Sequence, residues 1–254
     1  MINKTNKTVI KLKVTILTPA YNSEKTIAET IEAVLAQTYD NIEYIIIDGA
    51  SSDNTLGIAD SYTDAFRKRG FDYKIISEPD KGMYDALNKG ISLATGYLIG
   101  NTNSDDRLDP HAVEEMVLFY KQHCYDIAWS SIRIIKPSGN IIKKAKLSRL
   151  MTTSGFCHPT MFAQKKVLME LPYALNDIDD DFDFILRAKK AGKKICVNPG
   201  KILADYSFGG MSTKKDFTET KKRIKMKYST YRRNGYSPLY YFYCVAIEML
   251  KFIL

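Results

Sequence analysis

Two clusters of aspartates are the residues of this sequence best suited to chemistry. Asp105 and Asp106 stand side by side, with four residues between them and the apolar run 97–100. Adjacent carboxylates next to a buried strand cost free energy unless solvent or a cation neutralises them, and their hard oxygen atoms suit Mg²⁺ or Mn²⁺. A helix N-cap is the alternative, because Asp109 and Pro110 open a helix soon afterwards. The pair therefore predicts either a divalent-cation site or a helix cap.

The second cluster places four aspartates within residues 179–183, at the start of an amphipathic helix. Negative charge at a helix N-terminus is favourable by itself, but four carboxylates exceed what a cap requires. Their mutual repulsion is expected to raise the pKa of at least one carboxyl group, which suits a general base. The cluster is therefore a candidate source of a catalytic base, with favourable helix charge as the alternative.

Single residues elsewhere could also contact a ligand. His158 lies among small and apolar residues, where a buried structural histidine is the alternative. Lys81, before Gly82, could approach a phosphate, although lysine before glycine is also an ordinary turn. The strand ends carry no glycine-rich phosphate motif, so neither a dinucleotide site of the Rossmann kind nor a P-loop is indicated.

Alternating strands and helices must position these groups in the first half of the chain. Apolar runs predict strands at 14–18, 44–47, 74–77 and 97–100, with helix-spaced apolar residues between them. Pro19 is expected to end the first strand. The alternation predicts an α/β fold whose mostly parallel central sheet is flanked by helices.

Polar segments follow three of these strands, at 18–22, 48–53 and 103–106. Ligands of open parallel sheets bind beyond the carboxyl ends of the strands. Tyr21 could stack on a planar base, and Asp48 could accept a hydrogen bond from a base N–H or a ribose hydroxyl. We therefore expect the ligand at this edge of the sheet.

The second half of the chain has a mixed pattern. It predicts a strand over 127–135, a hairpin turn at 137–140, a helix over 182–191 and a strand over 194–197. Beyond residue 210 the pattern becomes basic and helical.

Composition and charge limit the class of protein. The chain has 254 residues, of which 45% are hydrophobic and 26% charged, and these values exclude intrinsically disordered and collagen-like proteins. Four scattered cysteines without a CxxC pair argue against a zinc ribbon or a disulfide framework. The N-terminus lacks an apolar signal region, so the body is expected to be cytoplasmic.

The net charge of +8 is concentrated at the C-terminus, where residues 211–254 hold ten basic and three acidic residues. Apolar residues follow there at helical spacing: Leu239, Phe242, Tyr243, Ala246, Leu250 and Ile253. Basic residues beside an aromatic, amphipathic helix favour a segment that lies on an anionic membrane surface. A helix packed against the domain or against a homodimer partner is the alternative. No nucleic-acid partner is expected, because no recognition motif accompanies the charge.

The ordered motifs resemble those of the family 2 glycosyltransferases, which are inverting enzymes with the GT-A fold. The segments that carry the resemblance are 16–22, 37–38, 47–55, 81–90, 94–96 and 103–106. The resemblance implies a GT-A domain over 1–212, with a nucleotide-binding half over about 13–106 and an acceptor half over about 107–212. The basic helical tail would then cover 213–254.

The resemblance also implies roles for single residues. The residues that it assigns to the nucleotide sugar are Thr18, Pro19, Tyr21, Asp48, Lys81 and Asp105. Asp106 would hold a divalent cation, Mn²⁺ or Mg²⁺, on the diphosphate, and Asp181 would be the catalytic base. The residues on the acceptor side would be His158, Asp183 and Arg187.

This chain departs from the family pattern at three positions, of which the mildest is the helix entry, Asp180-Asp181 in place of the common Glu-Asp. Many relatives have two adjacent aspartates where this chain has Asp48-Gly49, which affects the expected contact with the base. The first acidic position of the metal motif is Asn103.

The implied function is inverting transfer of a sugar from a nucleoside-diphosphate sugar, expected to be a UDP-sugar, by metal-assisted single displacement. The acceptor would be a hydroxyl of a glycan or lipid-linked molecule in polysaccharide or glycolipid biosynthesis, at the inner face of the cytoplasmic membrane. Two alternatives stay open. One is a sugar-nucleotide nucleotidyltransferase, which should carry a glycine-rich basic loop after its first strand; the other is a catalytically silent membrane adaptor.

Overall fold

The computed structural model of the chain describes residues 11–149, 151–176, 179–207 and 216–253. Its strands are β1 (Val14–Ala20), β2 (Ile42–Asp48), β3 (Asp72–Ser77), β4 (Leu98–Asn101), β5 (Arg107–Leu108), β6 (Ile127–Ile135), β7 (Ile141–Lys143), β8 (Phe162–Gln164) and β9 (Ile195–Ser207). Its α-helices are α1 (Ile27–Leu35), α2 (Thr55–Ser61), α3 (Thr63–Arg69), α4 (Met83–Leu93), α5 (Ala112–His123), α6 (Lys165–Glu170), α7 (Asp180–Lys190), α8 (Phe217–Arg233) and α9 (Tyr240–Ile253).

The first four strands form a parallel half-sheet in the order β3-β2-β1-β4. Both β1 and β2 are buried along their whole length, as expected of strands that are covered on both faces. The predicted parallel α/β arrangement is therefore confirmed.

The expectation that Pro19 ends the first strand is wrong, because β1 continues in register with β2 to Ala20. The carbonyl of Leu17 accepts a hydrogen bond from the N–H of Thr102, on the β4 side of the strand. Pro19, two residues later, faces the same side, where pairing with β4 has already ended. Its missing N–H therefore removes no bond from the sheet.

The second half continues the same sheet in the order β4-β8-β6-β9-β5, with β7 paired to β6. Strand β8 is antiparallel to both of its neighbours, so the sheet is parallel on one side and mixed on the other. The predicted strand 127–135 and the hairpin that follows it are confirmed. The predicted strand 194–197 is too short, because β9 runs for 13 residues, with irregular register opposite Ser130 and Ser131.

Helices α8 and α9 pack on the domain through the start of α7. Tyr231 of α8 is fully buried, its ring 5.7 Å from that of Phe182 and 4.3 Å from that of Tyr240. Arg223 of α8 is also buried and forms an ion pair with Glu248 of α9. The described part of the segment expected to form a tail therefore shares the core of the domain, while the expected boundary at residue 212 lies outside the described residues. Among the described helices, none combines the length and the apolar character needed to cross a bilayer.

Candidate active site

A cleft of about 1300 Å³ lies beyond the carboxyl ends of β1 to β4. Its walls come from the loops after these strands, from the first turn of α7 and from Met226 of α8. The residues predicted from the sequence that line it are Pro19, Tyr21, Lys81, Asp105, His158 and Asp181. The cleft lies where open α/β sheets bind their ligands, as expected.

Hydrogen bonds join the loop after β1 to the loop after β2 at one wall of the cleft. The side-chain oxygen of Asn22 accepts from the backbone N–H of Ser52, and the Asn22 N–H donates to Oγ of Ser51. Asn22 (φ 48°) and Ala50 (φ 59°) both adopt left-handed backbone conformations, which are costly for residues other than glycine. Such conformations persist only where the surroundings enforce them, so the loops form a preorganised wall.

Asp48 and Thr18 lie behind this wall, and neither side chain faces the cleft. Both are fully buried. The Asp48 carboxylate accepts from the Ser51 N–H (3.0 Å), from the Ser51 hydroxyl and from Oγ of Ser77 (2.7 Å). Oγ1 of Thr18 accepts from the Tyr44 hydroxyl (3.0 Å). These two residues therefore hold the loops in shape, and the placement of Asp48 does not support the expected contact with a base.

The two carboxylates of the Asp105–Asp106 pair point to different places. Asp105 lines the cleft, and burial raises the pKa of its carboxyl group. Asp106 is fully buried, and its oxygens accept from the N–H of Ser207 (3.1 Å) and from Nδ2 of Asn103 (3.0 Å). Burial, and secondarily the charge of Asp105, raise the pKa of Asp106 to about 8. Asp106 thus ties the loop after β4 to the end of β9, while Asp105 faces any ligand.

The residues around Asp105 fit a divalent cation that also binds a diphosphate. Oδ1 of Asn103 is buried and has no hydrogen-bond partner in the described part of the chain. Asn103 and Asp105 both line the cleft, so two side chains with oxygen atoms lie at this part of it. No group of three histidine, cysteine or acidic side chains among the described residues could hold a metal alone. Magnesium-type sites commonly use one or two carboxylates together with substrate phosphates, so this set fits.

Asp181 lies in the first turn of α7, on the opposite wall of the cleft. Its Oδ1 accepts from the Phe182 N–H (2.6 Å), and its Oδ2 lies 3.8 Å from Nδ1 of His158. Burial lowers the pKa of His158, which favours the neutral ring, and Nε2 lies 3.2 Å from Nδ2 of Asn101. In the neutral tautomer in which Nε2 accepts a hydrogen bond from the Asn101 amide, the ring proton is on Nδ1, on the side of Asp181. Asp181 lines the cleft, and among the described residues its Oδ2 accepts no hydrogen bond.

Asp183 and Arg187 do not line the cleft. Asp183 is buried, and its oxygens accept from Nε of Arg187 (2.7 Å) and Nδ2 of Asn234 (2.7 Å). The Arg187 guanidinium also donates to the Pro172 carbonyl (2.8 Å). The pair links α7 to α8, so it braces the helix that carries Asp181 rather than facing an acceptor.

The cleft residues that the sequence analysis did not assign to the site include Asp80, Tyr84 and Met226. Asp80 follows β3, so the rule that polar residues follow strand ends could have identified it. Tyr84 lies on the buried face of α4, where helical spacing of apolar residues indicates only core packing. No sequence pattern marked Met226 as a site residue, because its position at the cleft depends on how α8 packs against the domain.

The fold and the cleft define a class of protein that binds a ligand beyond a parallel half-sheet, with acidic groups on both walls. The Glycosyl transferase family 2 model matches residues 15–188. This chain belongs to that family, and the resemblance found in the sequence is confirmed. The matched residues extend from β1 to α7 and include both Asp105 and Asp181.

The Bacillus subtilis (strain 168) protein EpsE is 32% identical over 158 residues, which are 59% of this chain and 55% of EpsE. The chain thus spans about half the length of this relative. Two solved structures share the fold. S. aureus TarS 1-349 in complex with UDP-GlcNAc has a TM-score of 0.68 and 19% identity, covering 94% of this chain and 72% of TarS. The mannosyltransferase PcManGT from Pyrobaculum calidifontis, in complex with GDP-Man and Mn²⁺, has a TM-score of 0.71 and 15% identity. The match covers 96% of this chain and 74% of PcManGT. These likenesses confirm the GT-A fold.

Proposed function

We propose that this protein is a glycosyltransferase that moves a sugar from a nucleoside-diphosphate sugar, a UDP-sugar, to a hydroxyl group of a glycan or lipid-linked acceptor. The observation that carries the proposal is the pairing of Asp105 and Asp181 on the walls of one cleft, with Asp105 after β4 and Asp181 on α7. TarS and PcManGT, which share the fold, have been solved with sugar nucleotides, and this supports the same ligand class here.

Asp105, with Oδ1 of Asn103, is the group we assign to a divalent cation, Mn²⁺ or Mg²⁺, in place of Asp106. A bound cation would neutralise charge on the diphosphate leaving group. Lys81, on the rim of the same cleft, adds a positive charge that suits a phosphate. Pro19 and Tyr21, at the β1 and β2 end, offer flat surfaces to a base; Tyr21 is 65% exposed and free to stack.

Asp181 is the group we assign to proton transfer. Its Oδ2 accepts the proton of the acceptor hydroxyl as that oxygen bonds to the anomeric carbon and the bond from this carbon to the diphosphate breaks. His158 lies beside Asp181, with Nδ1 3.8 Å from Oδ2, and Asp183 with Arg187 fixes the helix that carries Asp181. A single displacement inverts the configuration of the anomeric carbon. An α-linked donor therefore gives a β-glycoside.

We also propose that the α8–α9 pair rests on an anionic membrane, where a lipid-linked acceptor would be held. Leu239 and Phe242 are each 70% exposed, and Leu250 is 50% exposed. Ring contacts between Phe217 and Phe252 and between Tyr228 and Tyr241 join the two helices near both ends of the pair. The exposed lysines on α8 are Lys221, Lys222 and Lys225. Exposed apolar side chains and exposed lysines on one helix pair match the chemistry of an anionic lipid surface.

The proposed reaction is tested by measuring release of the nucleoside diphosphate from a panel of UDP- and GDP-sugars. The assay contains Mn²⁺ and either oligosaccharide or lipid-linked acceptors. The Asp181→Asn variant should lower kcat by about 10²- to 10⁴-fold while donor binding persists. Asp60→Asn, which changes an exposed carboxylate on α2, is the matched control and should behave as the wild type. Equal turnover by the Asp181→Asn variant and the wild type would refute the assignment, and no turnover by the wild type with any donor would favour a silent adaptor.

A further inference from the structure

One carboxylate in the cleft is left unused by the roles above. Asp80 follows β3 and lines the cleft near Gly49. Its Oδ1 accepts from the Gly82 N–H (2.8 Å), which shapes the loop before α4. Its Oδ2 has neither a hydrogen-bond donor nor a salt-bridge partner among the described residues. Oδ1 of Asp80 therefore has a structural role, and Oδ2 is available to a ligand.

Gly49 provides the space in which the Asp80 carboxylate lies. A Cβ atom at position 49 would be 2.6 Å from Oδ2 and 3.1 Å from Cγ of Asp80, closer than real Cβ contacts allow. The backbone of Gly49 lies outside the left-handed region, so glycine is favoured here by the space that the Asp80 carboxylate occupies and not by conformation. The carboxylate of Asp80 thus reaches across from the end of β3 to the end of β2.

The position of Asp80 decides which part of a nucleotide it could meet. Gly49 follows β2, two strand spacings or about 10 Å from β4, whose end carries Asp105. A diphosphate held at Asp105 would direct its nucleoside towards β1 and β2, where Pro19 and Tyr21 lie. A carboxylate repels phosphate, so the part of a nucleotide that suits Oδ2 is a hydrogen-bond donor of the nucleoside and not the diphosphate.

Asp48 cannot serve as this acceptor, since its buried carboxylate already accepts three hydrogen bonds from Ser51 and Ser77. We infer that Asp80 reads the nucleobase of the donor by accepting the ring N–H of uracil or guanine at Oδ2. The inference rests on the proposed function and specifies how its nucleotide is selected. Cytosine has a bare acceptor nitrogen at N3 where uracil has N3–H, so the same carboxylate should reject a cytidine nucleotide.

The test is calorimetric titration of UDP, GDP and CDP in the presence of Mn²⁺. The wild type should bind UDP or GDP more tightly than CDP, by roughly 10- to 100-fold, because a hydrogen bond to a charged group is lost with cytosine. In Asp80→Asn, the amide oxygen can keep the bond to Gly82 while the NH₂ group turns to the cleft. This variant should bind UDP or GDP more weakly and CDP more tightly, so that the preference falls by about tenfold or more.

Glu78→Gln is the control, because Glu78 lies on the same loop, forms an ion pair with Lys89 and does not line the cleft. It should keep the wild-type preference. Should Asp80→Asn fail to fold, Gly49→Ala applies the same test, because its methyl group displaces the Asp80 carboxylate and should reduce the preference.

An unchanged ratio of CDP to UDP or GDP dissociation constants in the folded variant would overturn the inference and leave the proposed function intact. Preference of the wild type for CDP would also overturn it. Binding of none of the three nucleotides by the wild type would overturn the proposed function and this inference together.

Discussion

Nζ of Lys227, on α8, lies 3.1 Å from Oδ1 and 3.2 Å from Oδ2 of Asp179, two residues before Asp181. Lys227 is buried and Asp179 is partly buried; this burial raises the pKa of Asp179, and the Lys227 charge opposes that effect. The C-terminal helices therefore brace the segment that carries the proposed catalytic base.

Replacement of Lys227 by methionine should lower the free energy of unfolding by about 3–5 kcal/mol, because it leaves the Asp179 and Glu248 carboxylates without this buried partner. Lys225→Met changes an exposed lysine on the same helix and should stay within about 0.5 kcal/mol of the wild type. Urea unfolding of the three proteins at pH 7 measures both effects. Equal stability of the two variants would show that the ion pairs of Lys227 contribute nothing to the free energy of unfolding.

Glu43 should make stability depend on pH in the acid range. Its carboxylate is fully buried, which by itself raises the pKa, but hydrogen bonds from Lys74, Thr15 and Thr95 bring the pKa down to about 2. Because the unfolded value is about 4.3, Glu43 contributes stability above that pH, and the contribution is lost as the pH falls towards 2.

Glu43→Gln should therefore be less stable than the wild type at pH 7 by about 2 kcal/mol, and the difference should narrow below about pH 4.3. Urea unfolding of both proteins from pH 7 to pH 3 follows the difference. A difference that stays constant over this range would contradict the assigned role of the Glu43 charge.

The proposed membrane surface is tested with vesicles that contain anionic lipid. The double variant Leu239→Glu/Phe242→Glu should reduce binding to them by about tenfold or more, because it replaces the most exposed apolar side chains with negative charges. Leu118→Glu, on α5, changes an exposed leucine elsewhere and serves as the control. Co-sedimentation compares the three proteins. Unchanged binding by the double variant would instead favour this face as a packing or dimer surface.

The parallel half of the fold could be predicted because its information is local. The run Tyr44–Ile47 is short and apolar throughout, which is the pattern expected of a strand buried on both faces. The docking of α8 could not be read in this way. Lys227 looks like one more solvated lysine, and its partner Asp179 lies 48 residues earlier in the chain.

The candidate site shows the same limit at the level of single side chains. Sequence reasoning placed Asp48 and Asp106 at the carboxyl ends of the correct strands, but burial there depends on Ser77 and Ser207, which come from other strands. Adjacent residues at a strand end point in different directions, so Asp105 and Asp106 take different roles. The type of site could therefore be predicted, whereas the residue that faces the ligand required the structure.

The most direct test of the central claim is calorimetric titration of UDP and GDP, with and without Mn²⁺, on the wild type, Asp105→Asn and Asp106→Asn. The wild type should bind one of the nucleotides in a Mn²⁺-dependent manner. Asp105→Asn should lose that dependence, with a fall in affinity of roughly 10- to 100-fold or more, while Asp106→Asn retains it. Loss in Asp106→Asn alone would return the metal to Asp106, and absence of nucleotide binding by the wild type under every condition would contradict a transferase site in this cleft.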